Sequence, residues 1–194
     1  CDAETLTKDK SKFLTDGIEF LGGSGISSLE SYKGKYSCLL DENQKYGMGK
    51  KIENLIPGEI ITVSVYKKTK NNQGYLVISA ENPKVFLKRE RFSFSGKDKN
   101  GWEKITFGIQ LPKKLNKNKL SFLTVYVSLF DPEHSLSSEN KEQVFFDNLR
   151  IERQEQIKDT VINSSSNVIK LKEINIQLGD RSEEHTYELQ SRRN

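Results

Sequence analysis

The chain carries the stretch Ile60-Ile61-Thr62-Val63-Ser64-Val65-Tyr66-Lys67-Lys68, in which Ile61, Val63 and Val65 occupy every second position. Successive side chains of a β-strand point to opposite faces, so this spacing collects the three apolar side chains on one face. β-Branched residues also favour strands. The stretch therefore predicts a β-strand with one face toward a core.

Seven further stretches alternate in the same way or are rich in β-branched and aromatic residues, whereas helical periodicity is scarce. Turn chemistry separates them, as at Pro57-Gly58 and Asn82-Pro83. The pattern predicts an all-β fold, a two-sheet antiparallel jelly-roll β-sandwich of about eight strands. With the first stretch, the predicted strands are 17–20, 35–40, 60–68, 75–79, 85–94, 103–111, 120–129 and 144–152.

The last predicted strand contains an acidic residue, Asp147. Strict alternation places it on the same face as Phe145, Leu149 and Ile151. An ionised carboxylate on an apolar face costs several kcal/mol unless hydrogen-bond donors, a cation or a metal compensate it. Calcium, which takes about six to eight oxygen ligands, compensates it well, and so do backbone N–H groups. The pattern therefore leaves two interpretations, a calcium ligand or a capped carboxylate.

Composition changes after the last predicted strand. We expect one domain over residues 1–153, a polar linker over 154–167 and the start of a truncated downstream domain over 168–180. Residues 181–194 resemble an in-frame translation of a common sequencing adapter, so we expect them to be an artefact.

Charge and hydropathy narrow the possible partners. The 31 basic and 27 acidic residues are well mixed, which favours no nucleic-acid partner, and no stretch is apolar enough to cross a membrane. Cys1 resembles the acylated N-terminal cysteine of a mature bacterial lipoprotein, although it is equally compatible with an interior residue of a fragment. We expect an extracytoplasmic, secreted or cell-surface lipoprotein that is monomeric within a multidomain chain. Pairing of Cys1 with Cys38 stays open.

Four motifs follow one another in the sequence: residues 34–37, 55–66, 101–105 and 145–149. Their order and spacing resemble those of jelly-roll, galactose-binding-like carbohydrate-binding modules across residues 1–153. The resemblance implies an accessory domain, N-terminal in a larger bacterial surface or secreted protein, that binds polysaccharide. It also implies a structural calcium ion held by Asp147 with Glu4 or Asp2, although the aromatic-rich opening of that family is replaced here by Cys1-Asp2-Ala3-Glu4.

Aromatic rings commonly stack on the apolar faces of sugars, with polar groups around them. Alternation places Tyr66 and Tyr126 on strand faces opposite the core. If those faces belong to one sheet, the two rings form a stacking platform and Gln110 is a hydrogen-bonding partner. The alternative is that these tyrosines are half-buried sheet packing.

Four more residues are candidates for ligand contact. Tyr46 is followed by glycines that allow close approach of a ligand, which suggests a second site. Trp102 is the only tryptophan, and it either stacks on a ligand or seals an edge of the core. Arg89 and Arg91 either clamp an acidic sugar or belong to a solvated strand face.

No catalytic constellation is visible in the sequence. His134 is the only histidine before residue 181, and no serine elbow, HExxH or Cys/His pattern surrounds it. We therefore expect no enzyme activity. Two hypotheses remain: a glycan-binding module that tethers an attached domain, or a structural or adhesive spacer without a small ligand. Clustering of Tyr66, Tyr126 and Tyr46 on one face would favour the first.

Overall fold

The structure is a computed structural model, and it describes residues 1–115, 120–130 and 143–154. All of these belong to one compact unit, Cys1–Lys158. His134, the linker beyond residue 154, the proposed downstream segment 168–180 and the suspected artefact 181–194 lie outside the described residues. The predictions made for these residues stay predictions.

The described residues form eleven strands in two antiparallel sheets. A six-stranded sheet has the order β1-β2-β5-β10-β7-β8, and a five-stranded sheet has the order β3-β4-β11-β6-β9. A single 3₁₀ turn, Gly23–Gly25, is the only helical element of this part of the chain. The strands are β1 (Lys12–Thr15), β2 (Ile18–Leu21), β3 (Ile26–Ser27), β4 (Ser37–Leu40), β5 (Tyr46–Ile52), β6 (Ile60–Lys68), β7 (Tyr75–Ala80), β8 (Leu87–Glu90), β9 (Trp102–Gln110), β10 (Leu123–Ser128) and β11 (Val144–Gln154).

The predicted all-β, two-sheet jelly-roll sandwich is confirmed. Each of the eight predicted strands has a counterpart, and β6 has the predicted bounds. The prediction missed β1, β3 and β5. The third of these contains Gly47 and Gly49, residues that are more typical of turns than of strand interiors.

The core lies between the sheets and is built by alternation. Ile61, Val63 and Val65 of β6 face it from one sheet, and all three are fully buried. The equivalent residues of β10 are Leu123 and Val125, which face it from the other sheet. Burying a side chain of this size contributes about 1.5–3 kcal/mol, so the alternating strands supply much of the driving force for folding.

β5 has one extra residue opposite β10. Tyr126 of β10 pairs with Gly49 of β5. Ser128, two residues further along β10, pairs with Tyr46, which lies three residues away along β5. One residue of β10 therefore opposes two residues of β5, which is the definition of a β-bulge.

This bulge reverses the alternation of β5. The two residues inside it, Gly47 and Met48, are both buried. A Cβ atom at Gly47 would lie 2.5 Å from the Cys38 sulfur, which shows that this position points into the core. Strict alternation would put Tyr46 on the same face as Met48. The extra residue instead places Tyr46 on the outward face.

A second bulge lies in β11. Asp147 pairs with Tyr66, and the next pair is Arg150 with Ser64, so three residues of β11 match two of β6. Asn148 adopts a left-handed backbone conformation with φ of 56°. Asparagine tolerates this conformation better than most residues do.

The β11 bulge corrects the predicted placement of Asp147. Phe145 does share its face, but Leu149 and Ile151 lie on the opposite side, packed in or against the core. Strict alternation fails here because Asn148 shifts the register. Asp147 is nevertheless fully buried, because the main chain at Tyr32 and Lys33 contacts it.

The β5 bulge gives a stability prediction. We expect Gly47→Ala to lower the free energy of unfolding by about 1–3 kcal/mol, because its Cβ would overlap Cys38 and Leu40 in the core. Gly108→Ala, in β9, is the matched control, since its nearest neighbouring atom would be at 3.6 Å. Urea unfolding of both variants checks this, and a Gly47→Ala protein as stable as the control would contradict it.

Candidate functional site

The outward side of the six-stranded sheet carries three tyrosines, Tyr46, Tyr75 and Tyr126, and we call it the tyrosine face. Tyr46 and Tyr75 both pair with Ser128, one from each neighbouring strand. Directly opposite residues share a face of the sheet, and Tyr126 shares it because it lies two residues before Ser128. Three neighbouring strands, β5, β10 and β7, therefore bring these rings together.

Small or buried residues lie between the rings. Gly49 and Val77 flank Tyr126 on its two neighbouring strands. A Cβ atom at Gly49 would lie 3.0 Å from the Cβ of Tyr126. Only glycine therefore fits there without displacing the backbone of β10 at Tyr126. Ser128 is buried between Tyr46 and Tyr75. The tyrosine rings therefore project beyond the small or buried side chains between them.

Tyr46 and Tyr126 form an aromatic pair in which Tyr46 is exposed and Tyr126 is partly buried. Their ring centroids are 6.0 Å apart with an interplanar angle of 64°, an edge-to-face contact that such rings favour. Tyr46 is 56% exposed, so most of its ring is in contact with solvent. The contact fixes the orientation of the two rings relative to each other, and the exposed part of Tyr46 still offers aromatic surface.

A groove of about 490 Å³ lies beside this pair. It is lined by Tyr46 and Tyr126 together with Leu21 and by polar side chains that offer hydroxyl and amide groups. The Ser24 hydroxyl donates a hydrogen bond of 3.1 Å to Gln44 Oε1. Aromatic surface next to hydroxyl and amide groups is suited to a neutral polar ligand. The polar lining residues are Ser11, Ser24, Gln44 and Thr124.

The hydroxyl of Tyr126 is partly withdrawn from water. Burial raises its pKa above the ordinary value, although a hydrogen bond with Ser79 acts in the opposite direction. The phenol is therefore neutral at physiological pH. It can take part in hydrogen bonds while the ring offers its surface for stacking.

The predicted pairing of Tyr66 with Tyr126 is wrong. Tyr66 lies on β6 of the five-stranded sheet, whereas Tyr126 lies on β10 of the six-stranded sheet. Gln110 is in the same sheet as Tyr66, but Tyr66 pairs with Lys104, six residues away along β9. At about 3.4 Å per residue the separation is about 20 Å, so Gln110 is not its neighbour.

An aromatic cluster covers Tyr66 and Trp102. The ring of Tyr32 stacks on that of Tyr66, with centroids 3.6 Å apart and planes 13° from parallel. Tyr32 also contacts Trp102 edge to face at 5.8 Å, and Trp102 is only 3% exposed. Trp102 therefore offers no open ring face, which favours the alternative that it seals the structure.

A second cavity, of about 480 Å³, lies beside the five-stranded sheet. Acidic and basic side chains line it together, and two of them, Lys68 and Glu30, form an ion pair of 2.8 Å. Lys97 donates a hydrogen bond to the carbonyl of Thr69. Of the described residues that line it, Phe145 is the only aromatic one, and it is 8% exposed. No exposed ring comparable with Tyr46 is among these described lining residues.

Asp147 is satisfied by backbone donors. Its Oδ2 accepts N–H bonds from Tyr32 at 3.0 Å and Lys33 at 3.1 Å, and its Oδ1 accepts one from Asn148 at 2.6 Å. Burial raises the pKa of this carboxyl to about 6, with the N–H groups acting against the rise and Glu4 adding to it. This geometry is that of the capped carboxylate.

Glu4 and Asp2 are also engaged by donors. Glu4 Oε1 accepts N–H bonds from Lys35 at 2.8 Å and Tyr36 at 2.9 Å. Asp2 Oδ1 accepts bonds from the Glu4 N–H and the Thr15 hydroxyl. The N-terminal segment and the loop at 32–36 are therefore joined through carboxylates.

These contacts suit calcium poorly. N–H dipoles point their positive ends at Asp147 and Glu4, where a cation would have to bind. The Cys1 amino nitrogen donates a 2.6 Å hydrogen bond to the carbonyl of Leu149. Among the described residues, no group of three His, Cys, Asp or Glu side chains is arranged to hold a metal ion. Calcium at Asp147, Glu4 and Asp2 stays a prediction.

Chelator treatment tests calcium binding. Because backbone N–H groups already occupy oxygens of Asp147 and Glu4, we expect the midpoint of thermal unfolding to be the same in EDTA and in millimolar calcium. A midpoint that falls by several degrees in EDTA, and a fall that Asp147→Asn abolishes, would instead establish the calcium site.

The raised pKa of Asp147 gives a pH prediction. Its folded-state value, about 6, exceeds the ordinary value of 3.8, so its stabilising contribution is complete below 3.8 and is lost as the pH rises through 6. We expect the free energy of unfolding of the wild type, relative to that of Asp147→Asn, to increase as the pH falls from 7 to 5. Urea unfolding of both proteins at each pH measures this difference, and a constant difference would contradict it.

Both cysteines are buried and unpaired. Cys1 is 9% exposed, and burial lowers the pKa of its α-ammonium. Lipidation of Cys1 stays a prediction. Within the described residues, the structure has no helix of the length and hydropathy that a membrane crossing requires.

The sequence interpretation overlooked Tyr75 and Tyr32. Tyr75 begins the predicted strand 75–79, and alternation with Val77 was a signal for its face. The strand's position beside β10 was not visible in the sequence. Tyr32 lies in a loop, and no local pattern indicates its contact with Tyr66.

Solved structures with a similar fold include carbohydrate-binding modules. The CBM22-1 xylan-binding domain of Paenibacillus barcinonensis Xyn10C is 13% identical, with a TM-score of 0.45 over 78% of this chain and 90% of that one. A CBM4 module is 14% identical, with a TM-score of 0.37 over 73% and 74%. A cyclase from Fischerella sp. TAU is 10% identical, with a TM-score of 0.43 over 70% and 72%.

No protein-family model and no curated protein sequence matches this chain. At identities of 10 to 14%, the structural matches carry no information about a ligand.

Proposed function

We propose that this chain is a non-catalytic glycan-binding module whose binding surface is the tyrosine face. The single observation that supports the proposal is the pair of exposed Tyr46 and partly buried Tyr126, with ring centroids 6.0 Å apart, beside a polar groove. Two of the three tyrosines whose clustering was expected to favour glycan binding over a spacer thus lie together. The third, Tyr66, belongs to the other sheet.

The chemistry of the face matches that of a sugar. A pyranose ring has apolar C–H faces that pack on aromatic rings and equatorial hydroxyls that need hydrogen-bond partners. Tyr46 and Tyr126 supply the rings, and Gln44, Ser24 and Thr124 supply amide and hydroxyl groups. A few such contacts give about 4–7 kcal/mol net, which corresponds to weak, reversible binding.

Weak binding is useful to a tethering module. We propose that the module holds an attached domain near its polysaccharide, which raises the effective concentration of that domain without further contacts. An extracytoplasmic location, secreted or at the cell surface, follows from such a partner. Attachment through an acylated Cys1 and a monomeric module within a longer chain belong to the same proposal.

Substitution of the tyrosines tests the proposal. We expect Tyr126→Ala and Tyr46→Ala each to weaken binding of a soluble polysaccharide at least about fivefold, the equivalent of about 1 kcal/mol. Tyr66→Ala is the matched control, because it removes a tyrosine from the other sheet. Affinity electrophoresis of the full chain against a polysaccharide panel, with thermal unfolding to confirm folding, makes the comparison.

Two outcomes would overturn the proposal. If Tyr66→Ala weakens binding and Tyr126→Ala does not, the site lies on the five-stranded sheet instead. If the wild type binds no member of the panel, the structural or adhesive spacer is the better account.

A further inference from the structure

The tyrosine face ends in two arginines at the edge of its sheet. Arg89 of β8 pairs with Val77, which in turn pairs with Tyr126, so Arg89 lies in the same row as that tyrosine. Arg91 follows directly after β8. Its Nη1 donates a 3.2 Å hydrogen bond to the Tyr75 hydroxyl, and its guanidinium lies 4.5 Å from the centroid of Phe92. Both arginines therefore belong to the surface that carries the tyrosines.

A buried lysine fixes the main chain beneath Arg91. Lys67 is fully buried, and its Nζ donates hydrogen bonds to the carbonyls of Arg91, at 2.5 Å, and Gly74, at 3.2 Å. Glu103 compensates its charge at 3.3 Å. Burying a lysine is costly unless acceptors and an opposite charge lie close. Burial lowers the pKa of Lys67, and Glu103 acts against this fall. The ammonium therefore ties together the end of β8 and the residue before Tyr75.

Other carboxylates of this segment also bind the main chain. Glu90 Oε1 accepts the N–H groups of Arg91 at 2.9 Å and Phe92 at 3.1 Å. Glu103 Oε2 accepts the N–H of Ser93 at 3.3 Å. The backbone of residues 91–93 is thus held from both sides. These hydrogen bonds therefore fix the backbone that carries the exposed guanidinium of Arg91.

Cations at the opposite end of the face are neutralised, whereas Arg91 is not. Lys12 pairs with Glu19 at 2.5 Å, and Lys51 pairs with Glu53 at 2.8 Å. Within the described residues, no carboxylate forms an ion pair with Arg91. One N–H group of its guanidinium donates to the Tyr75 hydroxyl, and the guanidinium has further N–H donors. Arg91 is therefore a cation at the β8 edge of the tyrosine face that no described carboxylate pairs with.

We propose that the glycan is acidic, with a carboxylate or sulfate group that binds at Arg91 while a neighbouring sugar stacks on Tyr126. This inference rests on the proposed function and specifies its ligand class. Guanidinium presents a planar fork of N–H donors that matches two oxygens of such an anion. Tyr126 and β8, the strand that Arg91 follows, are two strand spacings apart, about 10 Å, so the ring contact and the anion contact involve different units of one chain.

Matched polymer pairs test the inference. The full chain is titrated calorimetrically with polygalacturonate and its methyl ester, carboxymethylcellulose and hydroxyethylcellulose, and dextran sulfate and dextran. We expect at least one acidic member to bind about tenfold more tightly than its neutral partner, and this preference to shrink as salt rises. Whether the carboxylated or the sulfated polymer shows it identifies the anion.

Variants assign the preference to residues. We expect Arg91→Gln to remove most of the acidic preference, measured as the ratio of the two affinities within each polymer pair. Lys88→Gln is the matched control, because it removes the same charge from β8 on the opposite side of the sheet, where Lys88 pairs with Ile78. That variant should retain the preference.

The outcomes separate the two proposals. Equal binding of acidic and neutral polymers overturns the acidic ligand and leaves glycan binding intact. A loss in Lys88→Gln as large as in Arg91→Gln also overturns it, because the effect would then come from net charge. Binding of no polymer, acidic or neutral, overturns glycan binding itself.

Discussion

The bulges in β5 and β11 determine which side chains point away from the core, because one extra residue in a strand moves the side chains beyond it to the other face of the sheet. One extra residue between Tyr46 and Gly49 turns Tyr46 outward beside Tyr126. Another, at Asn148, separates Asp147 from Leu149 and Ile151. The aromatic surface of one sheet and the capped carboxylate of the other both depend on these shifts.

The outward sides of the two sheets differ in what their side chains contact. On the five-stranded sheet, Asp147 and Glu4 bind the N–H groups of a loop, and Tyr32 from that loop covers Tyr66 and Trp102. That side is occupied by the chain itself. On the six-stranded sheet the tyrosines contact each other and solvent. Tyr46, at 56%, is the most exposed ring of the two aromatic clusters in the described residues, and Tyr32 of the other cluster is 37% exposed.

Local patterns predicted the strands well and the site poorly, for a physical reason. Alternation is a property of consecutive residues, so β6 was predicted with its observed bounds and the two-sheet sandwich followed. Membership of a sheet depends on pairing between distant strands, which is why Tyr66 and Tyr126 were grouped incorrectly.

Bulges depend on the partner strand in the same way. The glycines of β5 indicated a turn, whereas they allow a strand to carry an extra residue against Cys38 and Val127. Asp147 was identified as a buried carboxylate, but the face on which it lies and its donors required the register of β11 with β6.

The position of Trp102 decides what intrinsic fluorescence can report. It is the only tryptophan in the chain, and it contacts Tyr32 on the five-stranded sheet. Its emission therefore follows the state of the loop that Asp147 holds, including protonation of that carboxyl near pH 6. A ligand at the proposed site would lie on the other sheet, so tyrosine absorbance, and not this emission, would be the optical signal that follows its binding.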